Sequence, residues 1–481
     1  MQRIFIDGAW VQPLEGSTRA VTNPATLEPI DSVADCGPVD VARAVDAARA
    51  AQPGWQNMPA DDRATLLREI GGRIRAGGRD LATLLTRETG KPLCESLDCI
   101  DAVVALFETG GAGGPRSVGS PSRQLRAVIA AITPFNFPLL FMAWAIAPAI
   151  AAGDTVVCKP PPQNPLSSLM LARTCGALPA GVLNVITGGA DTGQALVRQA
   201  GVGQVRFTGS AAVGHAIAGA AQGKRLDLEL GSVDAFMVCK DADLEVAVPA
   251  IAWNRLLNAG QVCTSGKHIY VERSIAAEFV ERMHYCVGFL DFDDPMKPTT
   301  DLGPLVSLNA AHRVEDQVGR SLREGAKLIL GGRRFRPSGL PGHFFQPTIL
   351  SDVRPGSVPT REEILGPVIT ITPVIDVVEA LRFAGASAPG CGASIYTSDP
   401  RAAARAAKSV ESGIFRINDP ICGHALGPFG GMRHRGILRS LGGAGVETFE
   451  LSKYLQVADT LERKPWWFPY AKRTRRAAGG A

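Results

Sequence analysis

The stretch VIAAITPFNFPLLFMAWAIAPAIAA, residues 128–152, decides how the chain is read. Val128–Ile132 predicts a strand, the two prolines of Thr133–Pro138 end it in a turn, and Leu139–Ala152 is apolar enough for a buried helix. The same unit recurs downstream. Thr155–Cys158 predicts a short buried strand that stops at Lys159 and the prolines 160–162, and Leu166–Thr174 predicts a helix. Leu183–Ile186 then reads as strand, Gly193–Gln199 as helix and Val205–Phe207 as strand, before Thr208-Gly209-Ser210 leads into a helix starting near Val213-Gly214. Strands alternating with helices imply a parallel, doubly wound α/β sheet, whose ligands bind at the carboxyl ends of the strands. Lys159 and Gly209-Ser210 fall there.

Upstream, residues 4–11 alternate about Asp7-Gly8, which predicts an opening hairpin. Leu66, Leu67, Ile70 and Ile74 share one helical face, and Leu81, Leu84 and Leu85 start a second helix that residues 88–92 close. Residues 110–121, rich in Gly, Pro and Ser, read as a linker or exposed loop. A second α/β series runs from about 233 to 445. Beyond it come a strand-like segment, Phe449–Val457, an aromatic stretch at 464–470, and the basic residues Lys472, Arg473, Arg475 and Arg476.

A chain of 481 residues is too long for one core and implies two or three domains. Hydrophobic residues at 46% and charged residues at 20% describe a soluble globular protein, and a net charge of +4 gives a nucleic-acid partner no support. No leader and no apolar run of spanning length are evident, so a cytoplasmic protein without a membrane partner is expected, surface association through the aromatic, basic tail being the one exception weighed. The ten cysteines show no CxxC, which fits free thiols in a reducing compartment. The seven histidines have no ligand spacing, and no metal site is expected.

The chemistry gathers around NAGQVCTSGK, residues 258–267. Cys263 sits among Gly260, Thr264, Ser265 and Gly266, ahead of the strand-like Ile269–Val271, where small neighbours allow close approach to the sulfur. It is either a nucleophile or an ordinary buried thiol. Glu229, in LELG at a strand end, is either a surface ion-pair partner or a base. Asn136, between Phe135 and Phe137, either ties its own turn or holds a developing oxyanion. Thr208-Gly209-Ser210 at a helix start is a possible phosphate cradle.

Taken together, these motifs resemble the aldehyde dehydrogenase superfamily over nearly the whole chain: PFNFP at 134–138, KP at 159–160, FTGS with a later Gly at 207–214, ELG at 229–231, GQVC at 260–263, E-x-x-G-P-V at 363–368 and PFGG at 428–431. The resemblance implies two doubly wound parallel-sheet domains and a small β bridging element. Residues 1–113 and 132–231 would form the dinucleotide-binding domain and 232–445 the catalytic domain. Residues 114–131 and 446–481 would form the bridging and oligomerisation element and the tail. It implies a homodimer or homotetramer that oxidises a small-molecule aldehyde with NAD or NADP. Cys263 would be the nucleophile, Asn136 the oxyanion donor and Glu229 the base that activates water. Glu363 would hold the nicotinamide ribose, Lys159 the adenine ribose and Ser210 the pyrophosphate, with Thr133, Pro134, Phe135, Gly209, Gly214, Leu230 and Leu365 completing the cofactor site. Phe137, Leu140, Phe141, Trp144 and Phe429 would line an aromatic tunnel for an apolar aliphatic or aromatic aldehyde, with Cys422 and His424 at its rim. A coenzyme-A-acylating enzyme and a catalytically silent protein of this fold are the alternatives; Glu229 argues against the first and the intact Cys263, Glu229 and Asn136 against the second.

The chain also departs from the family pattern. Pro162 replaces the Glu of KPxE that grips the adenine ribose, so NADP is expected to be tolerated or preferred. Ser232 replaces the second glycine of ELGG, and Leu365 an aromatic residue before Gly366-Pro367. Ala145 and Ser440 stand where the family often carries a Lys and a Glu. The expectation is a paired loss that removes any proton relay through them and slows deacylation.

Overall fold

The computed structural model describes residues 2–109, 128–386, 390–420, 427–432, 436–440 and 448. The chain opens with the predicted hairpin, β1 (Ile4–Ile6) and β2 (Ala9–Val11), followed by the antiparallel pair β3 (Thr18–Thr22) and β4 (Pro29–Ala34). Four helices follow, Pro38–Asn57, Ala60–Ala76, Gly78–Thr89 and Leu93–Thr109. The apolar spacing marks the second and third. The first escapes the reading because its buried face mixes the polar Asp40 and Gln52 with the small Ala44 and Ala48, and Pro53 lies inside it. Gly90 closes the third with a left-handed φ of 80°, the position that tolerates glycine best.

Strands β5 (Val128–Ile132), β6 (Thr155–Lys159), β7 (Leu183–Val185), β8 (Val202–Gly209) and β9 (Arg225–Leu230) then alternate with helices Pro138–Ala152, Leu166–Thr174, Ala190–Arg198 and Ala211–Ala220. The second series supplies β10 (Asp234–Val238), β11 (Gly266–Glu272), β12 (Lys327–Leu330), β13 (Thr348–Ser351), β14 (Val368–Val374), β15 (Gly392–Tyr396) and β16 (Ile414–Ile417), with β17 (Gly436–Ile437) last among the described strands. The first sheet runs β17-β9-β8-β5-β6-β7-β1-β2 and the second β12-β13-β14-β11-β10-β15-β16. Both are parallel in the middle, and their antiparallel neighbours lie at the edges: β7/β1/β2 and β17/β9 in the first, β12/β13 in the second.

Each sheet is buried on both faces, as parallel sheets are. In the first, Ile129, Ala131, Val156 and Cys158 face one core, while Val128, Ala130, Ile132, Val157 and Leu228 face the other. The second divides likewise, with Phe236, Val238 and Ile269 on one side and Ala235, Met237 and Tyr270 on the other.

Two expectations need correction. Residues 128–131, assigned to the bridging element, are the inner strand β5, held between β6 and β8. Gly436–Ile437, inside the stretch expected to belong wholly to the catalytic half, pairs antiparallel with β9 and so covers an otherwise open edge of the first sheet. The loop at 110–121 and the segments at 449–457, 464–470 and 472–476 lie outside the described residues.

Helix Pro138–Ala152 carries the 133–137 turn at its N-terminus, so its anchoring matters for the site. It has no basic residue in its last turn. Three side chains from the preceding helices satisfy its terminal carbonyls instead: Trp55 Nε1 donates to Ile150 at 3.1 Å, Arg63 Nε to Ala151 at 3.1 Å and Gln52 Nε2 to Gly153 at 2.8 Å. Arg63→Met is expected to destabilise the fold by about 1–3 kcal/mol, measured by urea unfolding, because it removes the charged donor from part-buried carbonyls while keeping most of the side-chain volume.

Candidate functional site

A cavity of about 1100 Å³ opens at the carboxyl ends of β5, β6, β8 and β9 and reaches the loop before β11. Its lining includes Cys263, Glu229 and Asn136, together with Thr133, Pro134, Phe135, Lys159, Gly209, Ser210, Leu230, Glu363 and Leu365. Of the five residues expected along the aromatic tunnel, Phe141 and Phe429 line it. Trp144 stands beside both, its ring 5.1 Å from that of Phe141 and 4.8 Å from that of Phe429. Phe137 and Leu140 pack against the core, with the Lys91 ammonium 3.5 Å from the Phe137 ring centre. Cys422 and His424 lie outside the described residues.

The Cys263 loop is built from unfavourable backbone. Asn258, Ala259 and Gly260 all have left-handed φ, at 52°, 53° and 73°. Two non-glycine residues in that region persist only if surrounding contacts over-determine them. The Asn258 N–H is accepted by the Glu95 carboxylate, and Asn258 Nδ2 donates to the Asn136 carbonyl at 2.9 Å. Asn136 Nδ2 in turn donates to the Gln261 carbonyl at 2.8 Å. Asn136 thus ties its turn to the cysteine loop rather than to itself, and an amide nitrogen carries a second N–H for a further acceptor. Gly260 is required here, since a Cβ would sit 2.0 Å from the Gly366 carbonyl oxygen.

Two buried cations gather the loop's carbonyls. Arg255 is fully buried and donates to Gly260 at 3.0 Å, Val368 at 2.8 Å and Ile364 at 2.9 Å, joining the cysteine loop to the segment that carries Glu363. Lys267, 2% exposed, donates from Nζ to the carbonyls of Val262, at 2.9 Å, and Cys263, and lies 3.3 Å from Glu363 Oε1. The sequence reading passed over Lys267; its place four residues after Cys263 at a strand start was the available signal. Ser232, one of the departures, donates to the Cys263 carbonyl at 3.2 Å and to Asp234 at 2.6 Å. A second thiol, Cys391, also lines the cavity.

Burial pushes the Cys263 thiol up to about 12; Lys267 opposes this, while Glu363, Asp234 and Glu229 add to it. Glu229 is 4% exposed. Burial, reinforced by Asp227, raises its carboxyl to about 8 against the pull of Arg206, the Gly431 N–H and the Ser440 hydroxyl. Its Oε1 accepts from Ser440 Oγ at 3.3 Å, and its Oε2 has no partner among the described residues. Glu363 Oε1 accepts from the Ser232 N–H at 3.3 Å, and the carboxylate packs so closely on Gly231 that a Cβ there would fall 1.9 Å from Oε2.

At the other end, Lys159 folds onto the carbonyls of Pro160 and Gly188, and burial brings its ammonium down to about 8. Ser210 caps helix Ala211–Ala220, accepting from the Val213 N–H at 3.4 Å, so the free N–H groups of that helix start face the strand ends. Gly214 lies outside the lining; its missing side chain admits Leu230, whose Cδ2 would be 2.3 Å from a Cβ. Among the described residues no group of three His, Cys, Asp or Glu is placed to hold a metal, and no helix is long and apolar enough to cross a membrane.

Comparison with known proteins gives one family. The sequence model described as "Aldehyde dehydrogenase family" matches residues 10–455. Succinate-semialdehyde dehydrogenase [NADP(+)] of Escherichia coli is 34% identical, the alignment covering 94% of this chain and 97% of that protein. Phenylacetaldehyde dehydrogenase of Pseudomonas fluorescens is 35% identical over 95% of this chain and 96% of its own. The crystal structure of betaine aldehyde dehydrogenase from Staphylococcus aureus, in complex with NAD+, superposes with a TM-score of 0.92 at 31% identity, covering 97% and 99% of the two chains.

Replacing Lys267 by Met leaves Cys263 facing Glu229, Asp234 and Glu363 without its nearest cation. Alkylation of Cys263 by iodoacetamide at pH 8, followed by peptide mass spectrometry, is expected to slow roughly tenfold, the effect of one pKa unit, with partial recovery in Lys267→Arg.

Proposed function

The chain belongs to the aldehyde dehydrogenase family and is an NAD(P)-dependent enzyme that oxidises an aldehyde to the acid, and we propose that Cys263, Glu229 and Asn136 carry its reaction. The observation behind this reading is that all three line one cavity, with Asn136 bonded to the loop that holds the sulfur. The fit to a dinucleotide rests on the same cavity: a helix start at Ser210 for a diphosphate, a carboxylate at Glu363, and room beside the sulfur.

Cys263 attacks the aldehyde carbon as the thiolate, the form that Lys267 favours against burial, and forms a thiohemiacetal. The second N–H of Asn136 and the backbone N–H of Cys263 stabilise the oxyanion. A bound nicotinamide supplies the hydride acceptor. The resulting thioester on Cys263 is hydrolysed by water from which the Glu229 carboxylate takes a proton. Lys267 keeps a positive charge beside the sulfur, and Glu363 is poised to accept the nicotinamide ribose hydroxyls once it turns from Lys267.

NADP is the cofactor this chain is built to accept. Pro162 stands where a ribose-gripping carboxylate would repel a 2′-phosphate, and Lys159 and Arg198 line that end of the cavity. Phe141, Phe429 and Trp144 make the aldehyde end aromatic and uncharged, which favours an apolar aliphatic or aromatic aldehyde. The named substrate of the Pseudomonas fluorescens relative is of that kind. The nine described cysteines are all unpaired, which supports a cytoplasmic setting. Tyr285 and Phe289, their rings 4.5 Å apart and tilted by 56°, are more than two-thirds exposed and suit a subunit contact in a homodimer or homotetramer.

Cys263→Ala is expected to abolish reduced-cofactor formation with hexanal, phenylacetaldehyde or benzaldehyde; full turnover by this variant overturns the assignment. NADP is expected to support turnover at least as well as NAD in kcat/KM, and a strong preference for NAD contradicts the reading of Pro162. Because Glu229 must be ionised to act as a base, kcat should rise with pH through an apparent pKa of about 8 and be lost as pH falls below it.

A further inference from the structure

Glu229 does not stand alone behind the cavity. Strands β8 and β9 are parallel neighbours in which Arg206 is opposite Asp227 and Thr208 is opposite Glu229. Strand alternation puts Arg206, Asp227 and Glu229 on one face of the sheet, since Leu228 and Leu230 belong to the core on the other. Arg206 is 4% exposed and Asp227 fully buried, and Arg206 Nη1 lies 3.2 Å from Asp227 Oδ2. Arg206 Nη2 donates to Ser440 Oγ at 2.6 Å, and Ser440 Oγ donates to Glu229 Oε1 at 3.3 Å. Ser440 is itself fixed by a reciprocal backbone pair with Phe429, at 2.6 and 2.7 Å. The chain of contacts therefore runs Asp227, Arg206, Ser440 and ends at Glu229, a residue of the cavity lining whose Oε2 is buried and has no partner among the described residues.

The geometry points to Arg206, Asp227 and Ser440 as positioning residues that hold Glu229 by one oxygen and set the charge it feels, leaving the other oxygen without a partner among the described residues. The sheet thereby supplies the paired charges that Ala145 and Ser440 do not. A buried Arg–Asp pair is a poor source of stability, because desolvating both ions offsets most of their attraction. Its value here is directional: the guanidinium reaches the hydroxyl that bonds the base. The groups facing Glu229 are Asp227 on its own strand, Arg206 on β8, Ser440 with the Gly431 N–H from the C-terminal segment, and the thiols of Cys263 and Cys391. Arg439 is turned away onto the carbonyls of Gly431 and Leu438. Asp227 opposes ionisation of Glu229, whereas Arg206 and Ser440 favour it.

The inference rests on Glu229 being the base, and the test separates the two. The full-length enzyme is assayed with hexanal and NADP, reading the pH profile of kcat and the pre-steady-state burst of reduced cofactor. Asp227→Asn should move the rising limb to lower pH by roughly one unit, and Ser440→Ala should move it to higher pH and slow the step after the burst about tenfold. The pH profile of Cys263 alkylation should stay within 0.3 unit in both, which a general loosening of the site would not allow. Ser440→Ala keeps the backbone pair with Phe429, so it decides the matter if Asp227→Asn does not fold. Glu229→Gln is the reference. If it continues past one equivalent of reduced cofactor, the base assignment fails. If it stops there while the limbs of folded Asp227→Asn and Ser440→Ala coincide with the parent's, the positioning role alone is overturned.

Discussion

The site depends on buried positive charge under a loop whose backbone would not hold its shape unaided. Asn258 and Ala259 occupy left-handed φ just before Cys263. The carbonyls that such a path turns inward are collected by Arg255 and Lys267, both almost wholly removed from solvent. A buried cation is costly unless it is paired and hydrogen-bonded. Here each cation is offset by carbonyl oxygens, and Lys267 also by Glu363. The arrangement fixes the distance between the sulfur and the carboxylate proposed for the cofactor, because one ammonium touches the structures that bear both. It also gives the sulfur a neighbouring cation among three carboxylates.

The same logic recurs at the base. Burial favours a protonated Glu229, which could not take a proton from water. The Arg206 and Ser440 contacts counter that tendency without opening the pocket to solvent. The proposed nucleophile and the proposed base are thus handled alike, each buried group being adjusted by a charge brought in from the sheet behind it. This explains how the chain can differ at 145, 232 and 440 and still present a coherent site. Ser232 binds the Cys263 carbonyl, and Ser440 joins Arg206 to Glu229.

Much of this was legible before the structure. The strand–turn–helix repeat from 128 to 220 fixed the first sheet because strand and helix periodicities differ and prolines mark the turns. Cys263, Glu229 and Asn136 each had an ordinary reading on their own and stood out only through the set of motifs that resembles the family; the structure brings all three to one cavity. Pairing across distance was not legible. Nothing local in the sequence pairs Arg206 with Asp227, and only the register of β8 against β9 reveals that they meet. Lys267 looked like a polar strand start, since nothing local says that its ammonium folds back onto carbonyls four and five residues earlier. The closure of the sheet edge by Gly436–Ile437 was hidden for the same reason, two residues being too few to show a period. Of the five residues expected along a tunnel, Phe141 and Phe429 line the cavity, while all five pack in or against one core cluster, which the sequence pattern does not distinguish from a tunnel wall.

The central claim is that one sulfur holds the substrate covalently while it is oxidised. The most direct measurement is rapid acid quenching of the enzyme mixed with excess hexanal and NADP, followed by peptide mapping. The account predicts a hexanoyl adduct on the peptide bearing Cys263, rising with the first equivalent of reduced cofactor. An adduct on another cysteine, or steady cofactor reduction with Cys263 unmodified throughout, would contradict it.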